Sequence, residues 1–275
     1  MQAFMTKDVD MLGIAPKAAA PKRKREIGAN TIISIDGHAV LQPMCANPLG
    51  EALNSVQMAQ QKFKIRLTRE TTHTQSANLL IRKMYSWRGY ETHSSTVNHA
   101  PNNICLSVFS AEHAIGTLTL GIDSAEGMAA SAMYPCEIDQ LRAKGRVLCE
   151  ITKLAVDQNV SSRNVLASLF HIAYIHARQL NGCTDILIEV NPRHVPFYQR
   201  MLGFRQVGDE RICPRVKAPA VLLCLETDYV EIQLRKFGGL MENAVNETSL
   251  YPYSFSPADE VGIIQRLQRE HQATD

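Results

Sequence analysis

Asp185-Ile186-Leu187-Ile188-Glu189-Val190-Asn191-Pro192-Arg193-His194-Val195-Pro196-Phe197-Tyr198-Gln199-Arg200-Met201-Leu202-Gly203-Phe204 is the stretch whose reading decides the fold. Four of its first six residues are apolar and β-prone and predict a strand, placed at 184–190. Asn191-Pro192 makes a short turn. A helix follows over 194–202 with Tyr198 inside it, and Gly203 ends that helix. Phe204 then opens a new strand at 204–207.

Working backward, Asn164 to Leu180 forms a helix with Leu166, Leu169, Ala173 and Leu180 along one side, closed by Gly182. Before it, Arg146 to Asp157 is strongly β-prone. A short helix near 136–144 ends at Gly145. Two strands, 104–109 and 115–122, pair as a hairpin around Ser110-Ala111-Glu112-His113. A helix near 75–88 places Leu80, Met84 and Trp87 on one apolar face, and Lys62 to Leu67 alternates as a strand. Working forward, a strand at 219–226 completes the core. A helix over 229–241 and another starting at Ser256-Pro257-Ala258-Asp259 form a C-terminal helical extension. The order predicts an α/β mixed sheet with helices on its faces. Three parts follow: an extended or disordered segment over 1–60, a core over 61–228 and the extension over 229–275.

Composition narrows the class. Of 275 residues, 45% are hydrophobic, 20% charged and 6% aromatic, the balance of a soluble globular protein. No apolar run reaches the ~20 residues needed to span a bilayer, and the N-terminus lacks a signal-peptide core. Seven cysteines without a CxxC pair argue for reduced thiols in a cytoplasm, and against a disulfide framework or a zinc site. Residues 1–31 carry six basic and three acidic side chains, so a net +3, and the remainder is near −1. The basic character belongs to a tail around Pro21-Lys22-Arg23-Lys24-Arg25. That excludes a nucleic-acid function argued from charge and leaves peripheral membrane contact open.

Candidate chemistry begins at Glu150, a carboxylate among apolar strand neighbours. Desolvation there raises its pKa toward the range of a general base; the alternative is a strand-edge glutamate paired with Lys153 or an arginine. The loop Asp157 to Val165 contains no glycine. Ser161, Ser162 and Arg163 suit a single phosphate better than the close backbone cradle of a diphosphate; a plain helix cap also explains the serines. From 193 to 217, six basic residues face Asp209 and Glu210, a net +4 suited to an acidic partner or to a solvated face.

Asn191, Phe197-Tyr198 and Gly203-Phe204 resemble the "N…FY…GF" ending of the GCN5-related N-acetyltransferase (GNAT) core. Glu150, Thr152, Lys153, Ala155, Val156 and Asp157 match "E-[IL]-[ST]-[KR]-x-A-V-D", a strand of acyl-homoserine-lactone synthases and of FeeM-type N-acyl amino acid synthases. Arg193-His194, Arg82-Lys83-Met84-Tyr85 and Gly89-Tyr90 point to the second of these. The resemblance covers roughly residues 62–227 and implies a splayed, GNAT-like sheet.

The resemblance further implies an acyltransferase that moves a medium or long acyl chain from acyl carrier protein to the α-amine of an amino acid. Acyl-phosphopantetheine is the implied co-substrate, with acyl-CoA second, and no tightly bound cofactor or metal. Glu150 is the implied base, backbone amides near Leu154, Ala155 and Val156 the oxyanion site, and Tyr198 the acid for the departing thiolate. As a core tyrosine, Tyr198 would only pack beneath the sheet. His194 is a second acid/base group, a ligand of the acceptor carboxylate, or a helix-start histidine. Asn191 holds pantetheine amides or caps the helix. Arg82, Tyr85, Trp87 and Tyr90 form the acceptor wall, although Trp87 also completes a core stripe. Arg163, Arg193 and Arg200 dock the carrier protein. His171 and His176 are structural. The rivals are an acyl-homoserine-lactone synthase, a CoA-dependent GNAT enzyme and a non-catalytic acyl or carrier-protein binding module.

Overall fold

The computed structural model describes residues 31–38, 60–90, 96–97, 99–157, 163–241 and 247–272. The strands are β1 Thr31–His38, β2 Gln60–Leu67, β3 Asn103–Ser110, β4 His113–Ile122, β5 Leu148–Val156, β6 Asp185–Val190, β7 Arg205–Gln206, β8 Arg211–Cys213 and β9 Ala218–Glu226. The α-helices are α1 Thr71–Trp87, α2 Pro135–Ala143, α3 Arg163–Tyr174, α4 Val195–Leu202, α5 Thr227–Phe237 and α6 Pro257–Gln272. The main sheet runs β1-β2-β3-β4-β5-β6-β9-β7, and β8 pairs with β9. Every pairing is antiparallel except β5 with β6, which α3 connects. This is the mixed, helix-flanked sheet that the sequence predicts.

Several boundaries differ from the pattern. A strand not expected from the sequence, Thr31–His38, precedes the alternating residues at 62–67 and pairs with β2. Arg266 of α6 donates from Nη1 to the Ile32 carbonyl at 2.8 Å, fastening the C-terminal helix to this strand. The helix expected over 164–180 is α-helical only to Tyr174 and widens to π-type turns over Ile175–Leu180. The helix expected over 229–241 is Thr227–Phe237. The β8 hairpin arm was not expected; three residues are too few to show a period. The run Pro21 to Arg25, Ser161 and Ser162 lie outside the described residues. Among the described residues no helix is long and apolar enough to cross a membrane.

The two sheet faces are packed differently. On one face, α3, α4, α5 and α6 cover a continuous apolar core that includes Ile151, Leu169, Ile186, Leu202, Leu234 and Ile263. Each such side chain contributes roughly 1.5–3 kcal/mol on burial. His171 belongs to this layer, where its Nδ1 accepts from the Phe255 N–H at 3.1 Å. The opposite face holds two separate apolar clusters. One surrounds Ile138 of α2 with Met133, Leu187 and Leu222, and the other surrounds Leu80 and Met84 of α1 with Ala155. Between them the sheet presents polar side chains, and the site lies there.

Gly203 ends α4 in the left-handed region, φ +84°, and a Cβ there would sit 2.3 Å from the Tyr229 ring. Gly203→Ala is therefore expected to cost about 2–4 kcal/mol from left-handed strain plus overpacking, read as a lowered melting temperature.

Candidate active site

The pairing of β5 with β6 sets the geometry. Register runs Leu148↔Asp185, Cys149↔Ile186, Glu150↔Leu187 and Ile151↔Ile188, and then stops, although both strands continue. The strands therefore part beyond Ile151 and Ile188. On the other side of β5 the β4 register shifts: Thr119 faces Thr152 but Thr117 faces Ala155. Lys153 and Leu154 thus oppose Leu118 alone, a β-bulge. Lys153 takes a left-handed φ of +53°, which costs a non-glycine residue roughly 1–2 kcal/mol. The bulge leaves ladder positions between Lys153 and Ala155 without regular partners, at the mouth of the gap.

Glu150 sits beside the gap on the α1 side of the sheet, 7% exposed. Its Oε1 accepts from the Ala129 N–H at 2.7 Å and its Oε2 from the Ala130 N–H at 2.9 Å, both in the 3-10 turn Ala129–Ala132. Burial pushes its pKa up, and the two amides and Arg215 offset only part of that rise. Gly121, opposite Glu150 in β4, makes room for it: a Cβ there would stand 3.4 Å from the Glu150 Cγ. Glu150 also lines an open, mainly polar cleft with Asn103, Gly121 and Ala129.

A second carboxylate lies in the same polar strip. Glu189, on β6 just past the last β5–β6 pair, bonds Arg215 through Oε2. Arg215 also donates from Nη1 to the Ala129 carbonyl at 2.7 Å. Glu150, Ala129, Arg215 and Glu189 are thereby linked in one network. The Glu189 Oε1 is buried and has no hydrogen-bond partner among the described residues. Sequence reasoning missed Glu189 and treated Arg215 only as surface charge. The available signal was an acid flanked by Ile188 and Val190 within the strand, in addition to Asp185 at its start.

Tyr198 lies on the opposite face. α4 packs on the α3 side, and the half-buried Tyr198 ring meets Phe170, Phe197 and Phe204 edge-on, with centroids 6.5, 5.2 and 5.9 Å away. Asn191 caps the turn before α4. Its Oδ1 accepts from the Arg193 N–H at 3.2 Å, and its Nδ2 donates to the Pro219 carbonyl at 3.2 Å. His194 is half-buried. Burial, then Arg193 and Arg88, lower its pKa to about 4, so the ring is neutral near pH 7.

Two of the four residues expected at the acceptor wall come together. Tyr85 and Tyr90 meet edge-on at 5.9 Å, and Arg193 donates to the Tyr90 hydroxyl at 3.3 Å. Burial raises the Tyr85 pKa to about 12, with the nearby charges of Arg88 and Arg215 pulling the other way. Arg82 is exposed. Trp87, expected to complete the core stripe with Leu80 and Met84, is 65% exposed and stacks under Arg88. The stripe is buried through Met84 only, because Trp87 is the last residue of α1.

The basic stretch is less free than its count. Arg205, Arg211 and Arg215 pair with Glu226, Glu137 and Glu189, all three from outside the stretch and none of them Asp209 or Glu210. Arg163, Arg193 and Arg200 are exposed and make no ion pair among the described residues. Arg163 instead donates to the Tyr253 hydroxyl at 3.1 Å.

The family model of the N-acyl amino acid synthase FeeM matches residues 76–226, from α1 through β9. Among solved structures, FeeM, an N-acyl amino acid synthase from uncultured soil microbes, is 26% identical, with a TM-score of 0.56; the match covers 60% of this chain and 92% of that one. An N-acetyltransferase from Staphylococcus aureus Mu50 is 14% identical over 60% of this chain and 98% of its own, TM-score 0.42. The CoA-dependent acyl-homoserine lactone synthase BjaI is 10% identical over 58% and 78%, TM-score 0.43. No curated protein matches the sequence. With the family model spanning more than half the chain and the splayed strand pair in place, the chain belongs to the FeeM family of N-acyl amino acid synthases and is an acyltransferase of the GNAT fold.

Proposed function

We propose that this acyltransferase moves a medium or long acyl chain from the phosphopantetheine of acyl carrier protein to the α-amine of an amino acid. The observation that carries the reading is the parted β5–β6 pair with Glu150 on one sheet face and Tyr198 on the other. A thioester laid in that gap meets an incoming amine from the α1 side and a proton donor from the α3 side. The acceptor amine loses a proton to Glu150, directly or through water, and attacks the thioester carbonyl. Backbone N–H groups near Leu154, Ala155 and Val156, beside the bulge, hold the oxyanion. Collapse breaks the C–S bond, and Tyr198 protonates the pantetheine thiolate. The amide product and the free pantetheine thiol leave.

His194, neutral near pH 7, fits proton exchange or a hydrogen bond to the acceptor better than an ion pair with its carboxylate. Asn191 keeps spare hydrogen-bonding capacity for pantetheine amides beyond its cap. Tyr85 and Tyr90 wall the acceptor, with Arg82 and Trp87 at the rim. The glycine-free loop between Asp157 and Arg163 favours a donor with one phosphodiester, held by Ser161, Ser162 and Arg163. Arg163, Arg193 and Arg200, without an ion pair among the described residues, suit an acidic carrier protein.

The test offers acyl carrier protein thioester or acyl-CoA, with each of the twenty amino acids or S-adenosylmethionine, and reads products by mass spectrometry. N-acyl amino acids from the carrier donor are expected. Equal or better use of CoA removes the carrier assignment, lactone product selects the lactone synthase, and no product with any amine leaves a binding module. In the same assay Tyr198→Phe is expected to lower kcat by about 10²-fold with little change in KM for the amino acid. A donor with a more acidic thiol recovers part of that loss, because it needs no proton on leaving.

A further inference from the structure

We infer that Lys153 is the receptor for the carboxylate of the acceptor, so that the site selects α-amino acids over simple amines. This rests on the reading that the acceptor is an amino acid. Lys153 is held in a left-handed conformation by the bulge, and the groups its charge acts on, Glu150, Arg215 and Cys105, lie on the α1 side of the sheet. A strained non-glycine residue persists only where its surroundings or a function require it. The side chain is half-buried, and its ammonium makes no ion pair or hydrogen bond among the described residues. Its charge lies within electrostatic reach of Glu150 and Arg215, and burial lowers its pKa. A half-buried cation without a partner is unfavourable until an anion arrives.

The other cation of the strip is already committed. Arg215 bonds Glu189 and the Ala129 carbonyl. Of the two cations whose charge acts with Glu150, Arg215 and Lys153, Lys153 is therefore the one left to meet an incoming anion. The reacting end of the donor is a neutral thioester with neutral amides and offers none. A zwitterionic acceptor offers both signs. With its carboxylate on Lys153, its amine turns toward the strip that carries Glu150, the geometry general-base attack requires. The side chain then points away from the cation, toward the Tyr85–Tyr90 wall.

Equilibrium binding tests the assignment without any donor. Each of the twenty amino acids and the matching decarboxylated amines, such as tyrosine with tyramine, is titrated into the full-length protein by calorimetry or ligand-detected NMR. At least one amino acid is expected to bind about ten- to a hundredfold tighter than its amine, the range of a charge-assisted contact. Lys153→Met and Lys153→Gly are expected to erase that preference while leaving affinity for the amine within about threefold, as loss of that contact alone requires. Glycine takes the left-handed conformation without strain, so Lys153→Gly keeps the fold while removing the ammonium.

A preference that survives both variants overturns the assignment. So does an equal loss for amine and amino acid, the signature of a general structural or proton-transfer role, and so does a wild-type protein that binds no amino acid. The two ideas fail separately. A wild-type preference that both variants lose, in a protein that forms no N-acyl product, supports Lys153 and sinks the acyl-transfer reading. Product formation with an unchanged preference in the variants does the reverse.

Discussion

Glu150→Gln is expected to lower acyl-transfer turnover by about 10²–10⁴-fold, the usual contribution of a general base. The substitution is nearly isosteric. Its carbonyl oxygen still accepts one of the two amides from Ala129 and Ala130, but its NH₂ group faces the other N–H. That mismatch costs about 1–3 kcal/mol, small enough to leave a folded protein whose melting curve shows the loss. The pH profile separates chemistry from anchoring. Burial holds the Glu150 carboxyl above the ordinary carboxylate range, so the wild-type rate rises with pH through an inflection above that range. The Gln variant loses this limb. Full turnover by a folded Gln variant would leave Glu150 with one function only, holding the Ala129–Ala132 turn.

Arg146→Ala is expected to destabilise the protein by about 3–5 kcal/mol, on the order of 10 °C in melting temperature. Asp185 starts β6 with its side chain 0% exposed. Arg146 grips it with Nε and, at 3.1 Å, with Nη2; the Thr184 hydroxyl donates to it at 2.7 Å and the Cys224 thiol at 3.3 Å. Removing the arginine leaves a buried carboxylate without its cation. Arg146→Lys should recover part of the loss, and removing both partners in Arg146→Met/Asp185→Leu should recover most of it. A single variant that melts like wild type would mean the pair contributes nothing.

The two buried carboxylates bend the stability curve in opposite senses. At Asp185 burial alone would raise the pKa, but Arg146, Thr184 and Cys224 outweigh it and hold it down. Its contribution is present above the unfolded-state pKa near 3.9 and is lost as pH falls through the lower folded value. Glu150 has a raised folded pKa. Its contribution is full below the unfolded value near 4.3 and is lost as pH rises through the folded one. Urea titrations across pH 2–7 should therefore show the acid-side loss flatten in Arg146→Ala and the loss on raising pH flatten in Glu150→Gln.

The local elements were legible because each advertises a period or a stop. The alternation at Lys62 to Leu67, the apolar side of residues 164–180 and the glycines at 145, 182 and 203 lie within a few residues of what they determine. The candidate base was legible as well, since one acid in an apolar strand stands out. Trp87 shows the limit of the same logic. Its spacing completes a stripe, yet burial depends on whether the facing surface reaches the last turn of the helix, and spacing carries no information about that. Thr31–His38 is a similar case: eight residues without strong alternation are held by β2 and by Arg266, 235 and 234 positions away from the carbonyls it meets.

By itself the sequence determined most of the core elements, their order from Lys62 to Glu226 apart from the β8 arm, and the family, because these depend on residues close in the chain and on short motifs such as Glu150 to Asp157 and Asn191 to Phe204. Only the tertiary structure decided what the site contains. The link from Glu150 through Ala129 and Arg215 to Glu189 joins segments up to 86 residues apart. The left-handed turn of Lys153 comes from a register mismatch with β4, not from any preference of lysine. Strand parting, bulges and charge pairing are properties of neighbours in space, so they exist only once the sheet has closed around them.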